Sequence, residues 1–271
     1  MGGMNDSHAD IVATGALAAG RAGLAIGTTS VMVDVVDHHG SALDHGVVSM
    51  PSPFGTYLVW AETGIGGRAL EFVLDSIIHV ADELGDHSTA DAFVGVDAAI
   101  DRASAGSNGL LFLPWLTGSL SPDINPSMRG AFLNVKLDTS RIDFIRAATE
   151  GVGHSIRWLA PFVEAFSGSG IAEVAFVGGA ARSSVWGQIL ADVLNRPVLK
   201  MLNPAHAVAR GVALFALERH GDLDRRDLDF LAVPERRYEP ISENRTVYDS
   251  MHEQFLACVD ALRPVMEGIN S

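Results

Sequence analysis

The 271-residue sequence has one cysteine, Cys258. One thiol can form no internal disulfide and cannot cage a metal by itself, which excludes a disulfide-stapled scaffold and a cysteine-based zinc module. A lone thiol fits a reducing cytosol and reads first as a small buried apolar group. No Lys/Arg run exceeds a pair, and 19 basic against 33 acidic side chains give a formal net charge of −14. Nucleic acid is therefore not an expected partner, because binding it needs clustered cations to replace counterions. The most apolar stretch, Ile11 to Ile26, is interrupted by Arg21 and is too short to span a bilayer. Met1 is followed by Gly, Asn, Asp and His rather than by a basic-then-apolar leader. No membrane association and a cytoplasmic location are the expectations. Internal repeats and low-complexity linkers are also lacking.

What is present is core material: 48% hydrophobic and 19% charged residues, enough to bury a large core. Asp10–Ala19 reads as a helix. Leu24-Ala25-Ile26 and the β-branched Val31–Val36 flank a polar turn and read as a hairpin, with Val47-Val48 a short third strand. Apolar spacing predicts helices over Gly67–Leu84, Ala92–Ala103 and Ile145–Phe166, the last opened by a capping box at Ser140 and Asp143. Gly109–Leu113, Ile171–Val177 and Val198–Leu202 read as strands. Helices follow around Val185–Val193, over Ala205–His220 and over Glu243–Met266. A hairpin followed by alternating α and β elements implies an α/β fold, a mixed sheet with helices on its faces. Trp60, Trp115, Trp158 and Trp186 are assigned to core packing.

Four groups of residues could carry chemistry. Gly27-Thr28-Thr29-Ser30 offers consecutive backbone N–H groups and hydroxyls at a tight turn, suited to a phosphate tail; the competing reading is an ordinary hairpin turn. Val177-Gly178-Gly179-Ala180-Ala181 joins a strand to a helix through small residues. They let the backbone lie against a ligand, or serve a close strand–helix contact. No Gly-Lys-Ser/Thr follows and the glycine spacing is not a dinucleotide fingerprint. Asp6, after Gly2-Gly3, is either a helix cap or a general base for phosphoryl transfer. His38, His39 and His45 beside Asp37 and Asp44 form a conceivable metal cluster or a polar surface turn.

Order and spacing turn these signals into a resemblance. Gly3-Met4-Asn5-Asp6 resembles the Gly-x-x-Asp of the FGGY carbohydrate kinases, and Ile26-Gly27-Thr28-Thr29 resembles their phosphate turn. Gly66-Gly67-Arg68-Ala69-Leu70-Glu71-Phe72 is similar to their glycine-led helix. Leu113-Pro114-Trp115-Leu116-Thr117-Gly118, with Ser121-Pro122, Asn125-Pro126 and Arg129-Gly130-Ala131-Phe132, is similar to their Leu-Pro…Arg-Gly-Ala-Phe segment. Arg146-Ala147-Ala148-Thr149-Glu150-Gly151 resembles their Arg-Ala-x-x-Glu-Gly helix. Gly178-Gly179-Ala180-Ala181-Arg182-Ser183-Ser184-Val185-Trp186 resembles their adenosine motif.

The resemblance implies a ribonuclease H-like domain of the actin/hexokinase/Hsp70 ATPase superfamily. It implies transfer of phosphate from ATP, with Mg2+, to a sugar or polyol, a pentulose such as xylulose being favoured. Carried over, Asp6 is the base, with Ser7 beside it at the substrate. Gly27, Thr28, Thr29, Gly67, Glu71, Gly178, Gly179, Ala180 and Ser183 form the nucleotide site, and no protein metal ligand is assigned. Residues 1–235 are expected to be the C-terminal, nucleotide-binding domain and 236–271 a helical extension packed on it. An N-terminal FGGY domain or subunit is the expected missing partner. The apolar face it would cover is a route to a homo-oligomer. The alternative is a truncated nucleotide-binding module without activity. Departures from the family are Ser119-Leu120 in place of its Glu-Arg, and His206 and Arg210 around the small-residue helix.

Overall fold

The computed structural model describes residues 6–17, 20–78 and 95–270. Along the chain, helix α1 (Asp6–Thr14) leads into strands β1 (Arg21–Ile26), β2 (Thr29–Val36), β3 (Ser41–Ala42), β4 (Val47–Pro51) and β5 (Tyr57–Ile65). Short helices α2 (Gly67–Val73) and α3 (Val96–Arg102) precede a small hairpin, β6 (Leu111–Leu113) and β7 (Ala131–Leu133). The long helix α4 (Arg141–Ser167) is followed by β8 (Glu173–Val177), α5 (Ser184–Leu194), β9 (Val198–Met201) and α6 (Ala207–His220). Then come α7 (Asp227–Leu231), β10 (Pro234–Tyr238) and α8 (Arg245–Asn270).

Among the described residues one sheet runs β10-β9-β8-β1-β2-β5-β4-β3. β1 pairs antiparallel with β2 and parallel with β8, and β8 pairs parallel with β9. The two-residue side-chain period of a strand divides the sheet into two faces. Leu24, Ile26, Met32 and Phe176 point to the larger core, against α4 and α5 through Ile145, Val152, Leu159, Ile189 and Leu190. Ala175, Val177 and Leu199 point the other way, with Ala13 of α1 and Ala207 of α6. Ile11 packs there on Val33 and Leu58. The helices of that face meet closely, because a Cβ on Gly211 of α6 would lie 1.9 Å from the Ala9 carbonyl oxygen of α1. A third cluster joins the β6–β7 hairpin to α8, with Leu113, Trp115, Phe255 and Val259 buried and Cys258 partly buried beside them.

Local chemistry explains the boundaries. Ser140 and Asp143 form the expected capping box of α4, and Gly168, at φ +69°, ends it in the left-handed region. Helix α1 already includes Asp6 and stops at Thr14, where the Thr14 hydroxyl donates to the Asp10 carbonyl. The sequence placed this helix later, at residues 10–19. Regular α-helix after Gly67 ends at Val73 and opens into a wider π turn over Leu74–Ile78, while the rest of the expected helix, to Leu84, lies outside the described residues. Residues 92–94 of the next expected helix lie outside them too.

Four strands had no sequence signal strong enough to assign: the two-residue β3; β5, interrupted by Glu62 and Gly64; the short β7; and the mostly exposed β10. Yet β5 is central, paired to both β2 and β4. Trp115 and Trp186 are buried, and Trp60 and Trp158 pack at core margins. His38 stacks on Phe166, His39 tilts against Tyr57, and His45 lies 4.5 Å from Phe162 between ring centroids. No group of three metal-ligating side chains converges among the described residues.

Candidate functional site

The parallel strands β1 and β8 end side by side, with Ala25 opposite Val177. At these ends the chain makes two turns, Gly27-Thr28 into β2 and Gly178-Gly179 into a 3-10 turn ahead of α5. The two glycines of the second turn serve different purposes. Gly178 has φ +91°, and a Cβ there would lie 2.5 Å from the Ile26 carbonyl oxygen. Its backbone is pressed onto the end of β1, which holds the two turns together. Gly179 and Gly27 would each project a Cβ into open space, with nothing within 4 Å. They border a cleft of about 480 Å3 lined by Gly27, Thr28, Gly67, Glu71, Gly179 and Ser183, among others.

The first turn is tied down from behind. The Gly67 N–H donates to the Gly27 carbonyl at 2.7 Å and the Gly66 N–H to the Thr28 carbonyl at 3.0 Å. Both carbonyl oxygens are thus occupied by the start of α2, so the turn does not present them to an anionic ligand. Side chains at Gly66 or Gly67 would sit 2.5 and 2.6 Å from Thr29 and Gly27 carbonyl oxygens, which explains the paired glycines.

The opposite wall combines α3 and the start of α5. Ser183 caps α5: its hydroxyl accepts from the Trp186 N–H at 3.0 Å and donates to Asp97 Oδ1 at 2.6 Å. The Ser184 N–H reaches Asp97 Oδ2 at 3.3 Å. A carboxylate beside a helix N-terminus is favourably placed for the helix dipole. Val96, Asp97 and Ile100 of α3 line the cleft with Leu70, Arg182 and Trp186. None of these six was singled out as a ligand contact from the sequence. Asp97 gave one local hint, an acid in the first turn of a helix entered through Gly95 at φ +81°. Its partners are remote in sequence, so spacing could not reveal them.

Of the residues selected from the sequence, Gly27, Thr28, Gly67, Glu71, Gly179, Ala180 and Ser183 line this one cleft. Thr29 and Gly178 adjoin it without lining it. Thr29 begins β2, and its hydroxyl bonds Glu62, a carboxyl whose pKa burial raises and this bond partly restores. Asp6 and Ser7 lie at the start of α1 and are not among the cleft residues. Asp6 is exposed and accepts from the Ser7 N–H at 2.8 Å. One helical turn on, Asp10 has its pKa raised to about 7 by burial and then by the Asp6 charge.

A hairpin leading into parallel strands with helices on both faces, and a glycine-walled cleft at the strand ends, is the architecture of the actin/hexokinase/Hsp70 ATPases. A xylulose kinase from Lactobacillus acidophilus superposes with a TM-score of 0.84 at 18% identity, over 98% of this chain and 52% of that one. Plasmodium falciparum glycerol kinase, solved with ADP, gives 0.77 at 14% identity, over 93% and 49%. These likenesses establish the fold. The chain belongs to the FGGY family of carbohydrate kinases, whose C-terminal domain model matches residues 24–218. Among curated proteins, a gluconokinase from Bacillus subtilis is 22% identical over 255 residues, 94% of this chain and 50% of the relative. A xylulose kinase from the same organism is 32% identical over 119 residues, 43% and 23% of the two chains. The chain spans about half the length of the gluconokinases it matches. Among the described residues no helix is long and apolar enough to cross a membrane.

Proposed function

We propose that this chain supplies the nucleotide-binding half, and the acid Asp6, of an enzyme that transfers the terminal phosphoryl group of ATP to a sugar or polyol hydroxyl. The observation that carries the reading is the convergence of Thr28 and Gly179 on one cleft. Phosphoryl transfer needs alignment and charge neutralisation more than covalent help from the protein. In this reading the Gly27-Thr28 turn receives the phosphates, the Gly179-Ala180 segment lies against the nucleoside, and Ser183 with Asp97 fixes the wall between α3 and α5. Asp6 takes the proton of the attacking hydroxyl, and Ser7 holds its carboxylate. Thr29 and Gly178 support the two turns.

A bound Mg2+ would neutralise phosphate charge during transfer. It commonly keeps several waters and takes only one or two protein carboxylates besides phosphate oxygens. Glu71 at the cleft suits that limited demand. The proposal includes a separate N-terminal FGGY domain or subunit carrying most sugar contacts and a cytoplasmic location; the helical extension expected from residue 236 begins instead at Arg245 with α8, because residues 236–238 complete β10 of the main sheet. A pentulose such as xylulose is the first substrate to test, with gluconate and glycerol beside it.

Calorimetric titration of the chain with MgADP, followed by an ADP-release assay with each substrate, tests the reading. The assay is run alone and with the product of any open frame immediately upstream of Met1. Expected are nucleotide binding by the chain and turnover once the second half is supplied. Nucleotide binding without turnover in the joined protein would leave a binding module only, and no binding would remove the kinase reading.

A further inference from the structure

Helix α3 forms one wall of the cleft but has only 7 residues and no side-chain cap at its start. A helix this short has little stability of its own, so its position depends on tertiary ties. The tie at its start is Asp97 to Ser183 and Ser184. The tie at its end is Arg146 of α4, whose Nη1 donates to the carbonyls of Ile100 and Ala103, each at 3.0 Å. A guanidinium at these carbonyls also opposes the negative end of the helix dipole.

Arg146 is itself locked in place. Its Nε donates to Glu150 Oε1 at 2.7 Å and its Nη2 to the Tyr248 hydroxyl at 2.9 Å. The Tyr248 hydroxyl donates to Glu150 Oε1 at 2.8 Å, while the Gly106 N–H and Ser107 hydroxyl donate to the same carboxylate. Arg146, Glu150 and Tyr248 are all buried. A buried ion pair is weak evidence for stability as such, since well-packed apolar residues often do as well. This one connects three separated elements: α8 through Tyr248, α4 through Arg146 and Glu150, and the end of α3.

The geometry points to Arg146, held by Glu150 and Tyr248, as a positioning residue that sets the α3 wall of the nucleotide cleft and couples that wall to the C-terminal helix α8. The inference rests on the nucleotide reading of the cleft, and deepens it. It gives α8, which supplies no residue to the cleft lining, a part in nucleotide affinity. Arg146 and Glu150 act through α3 and need not touch the nucleotide.

The test combines hydrogen exchange on the nucleotide-free chain with MgADP titration. Tyr248→Phe removes one hydroxyl from the network. Arg146→Met with Glu150→Gln removes the charge pair while leaving an amide whose oxygen can accept from the Gly106 N–H and whose NH2 can donate to the Ser107 hydroxyl oxygen. Val259→Ala, in the separate cluster of α8 and the β6–β7 hairpin, is the control for general destabilisation. Expected in both network variants are about tenfold faster exchange across Val96–Arg102 and about tenfold weaker MgADP binding, the scale of one lost hydrogen bond to a charged group. Exchange in α6, on the opposite face, should stay unchanged. Unaltered exchange in α3 would overturn the inference, as would equal loosening by Val259→Ala at the same loss in Tm. If α3 loosens as expected but the unmodified chain binds no MgADP, the positioning stands and the nucleotide reading falls.

Discussion

The two ends of the proposed site are built differently. At the nucleotide end, two turns at the tips of adjacent parallel strands are pinned by backbone hydrogen bonds and by Gly66, Gly67 and Gly178, where a Cβ would press on a backbone carbonyl. The wall opposite is held at both ends of α3. At the acid end, Asp6 is exposed on the first turn of α1 and accepts from its neighbour Ser7. A binding surface can be complete within this half of the family architecture, whereas a general base must be held within hydrogen-bond reach of its proton. In the proposed reading, the difference separates nucleotide affinity, assigned to the cleft of this chain, from turnover, which would need Asp6 held in place.

The largest test addresses what fixes α1. Because a Cβ at Gly211 would lie 1.9 Å from the Ala9 backbone, Gly211→Leu must force α1 away from α6. Urea unfolding should show a loss of about 3 kcal/mol, the scale of severe overpacking. A loss under ~1 kcal/mol would mean the helices slide freely, and would erase the assumption that α1 has one position at all.

Next come the neighbouring glycines at the end of β8. Gly178→Ala combines a strained φ of +91° with a contact on the Ile26 carbonyl and should cost about 2 kcal/mol. Gly179→Val meets no protein atom, so its cost to stability should stay within ~0.5 kcal/mol. Its branched side chain would enter the cleft, and MgADP affinity should fall at least tenfold. Equal behaviour of the two variants would contradict the division between the glycine that packs and the glycine that borders the ligand space.

This division also shows what the sequence can and cannot express. Gly178-Gly179 was legible as a strand–helix junction with small residues, but not which glycine met protein and which met open space, because that depends on the end of β1. The convergence of Gly27, Gly67 and Gly179 was anticipated only through resemblance. No local pattern states that Gly67 donates to Gly27, 40 positions away. Asp97 escaped notice for the same reason: it works through Ser183. The hairpin β1–β2 and the capped helix α4 were readable because their causes are local. Strand β5 was not, since Glu62 and Gly64 interrupt its pattern and its place between β2 and β4 is decided by tertiary pairing.

Acid titration distinguishes the α4–α8 contact from α1 by sign. His154 is fully buried against α8 and held neutral, its pKa lowered chiefly by burial and also by His252 and Arg157. His252 is lowered to about 4, again chiefly by burial, with Arg157 adding to the fall and Asp249 opposing it. Unfolded histidines take up protons near pH 6.5, which these two refuse in the folded state, so stability is lost as pH falls from about 6.5 toward 4. Asp10 acts in the opposite sense. Its folded pKa of about 7 lets it keep a proton that the unfolded chain releases near pH 4, so its contribution is lost as pH rises through that window. Each group changes the slope by at most about 1.4 kcal/mol per pH unit. Chemical unfolding at several pH values should show a shallower acid loss in His154→Phe and a steeper one in Asp10→Asn. Identical slopes in all three proteins would show that neither group stays buried in its assigned state.

The smallest effect should come from Ser183→Ala, and it is the most specific to the cleft. The hydroxyl has two roles, capping α5 through the Trp186 N–H and holding Asp97. Losing an N-cap costs about 1 kcal/mol, which differential scanning calorimetry on this chain can resolve. If the cap were its whole contribution, Ser183→Thr and Ser183→Asp would restore stability and MgADP affinity together. The structure separates the two substitutions. Threonine keeps a donor for Asp97, whereas aspartate caps the helix but places a second carboxylate against the first. Ser183→Asp should therefore recover less MgADP affinity than Ser183→Thr even where its melting temperature recovers as well. Equal recovery by both would assign Ser183 to the helix alone and leave the Ser184 N–H to Asp97 as the link of the α3–α5 wall at that end.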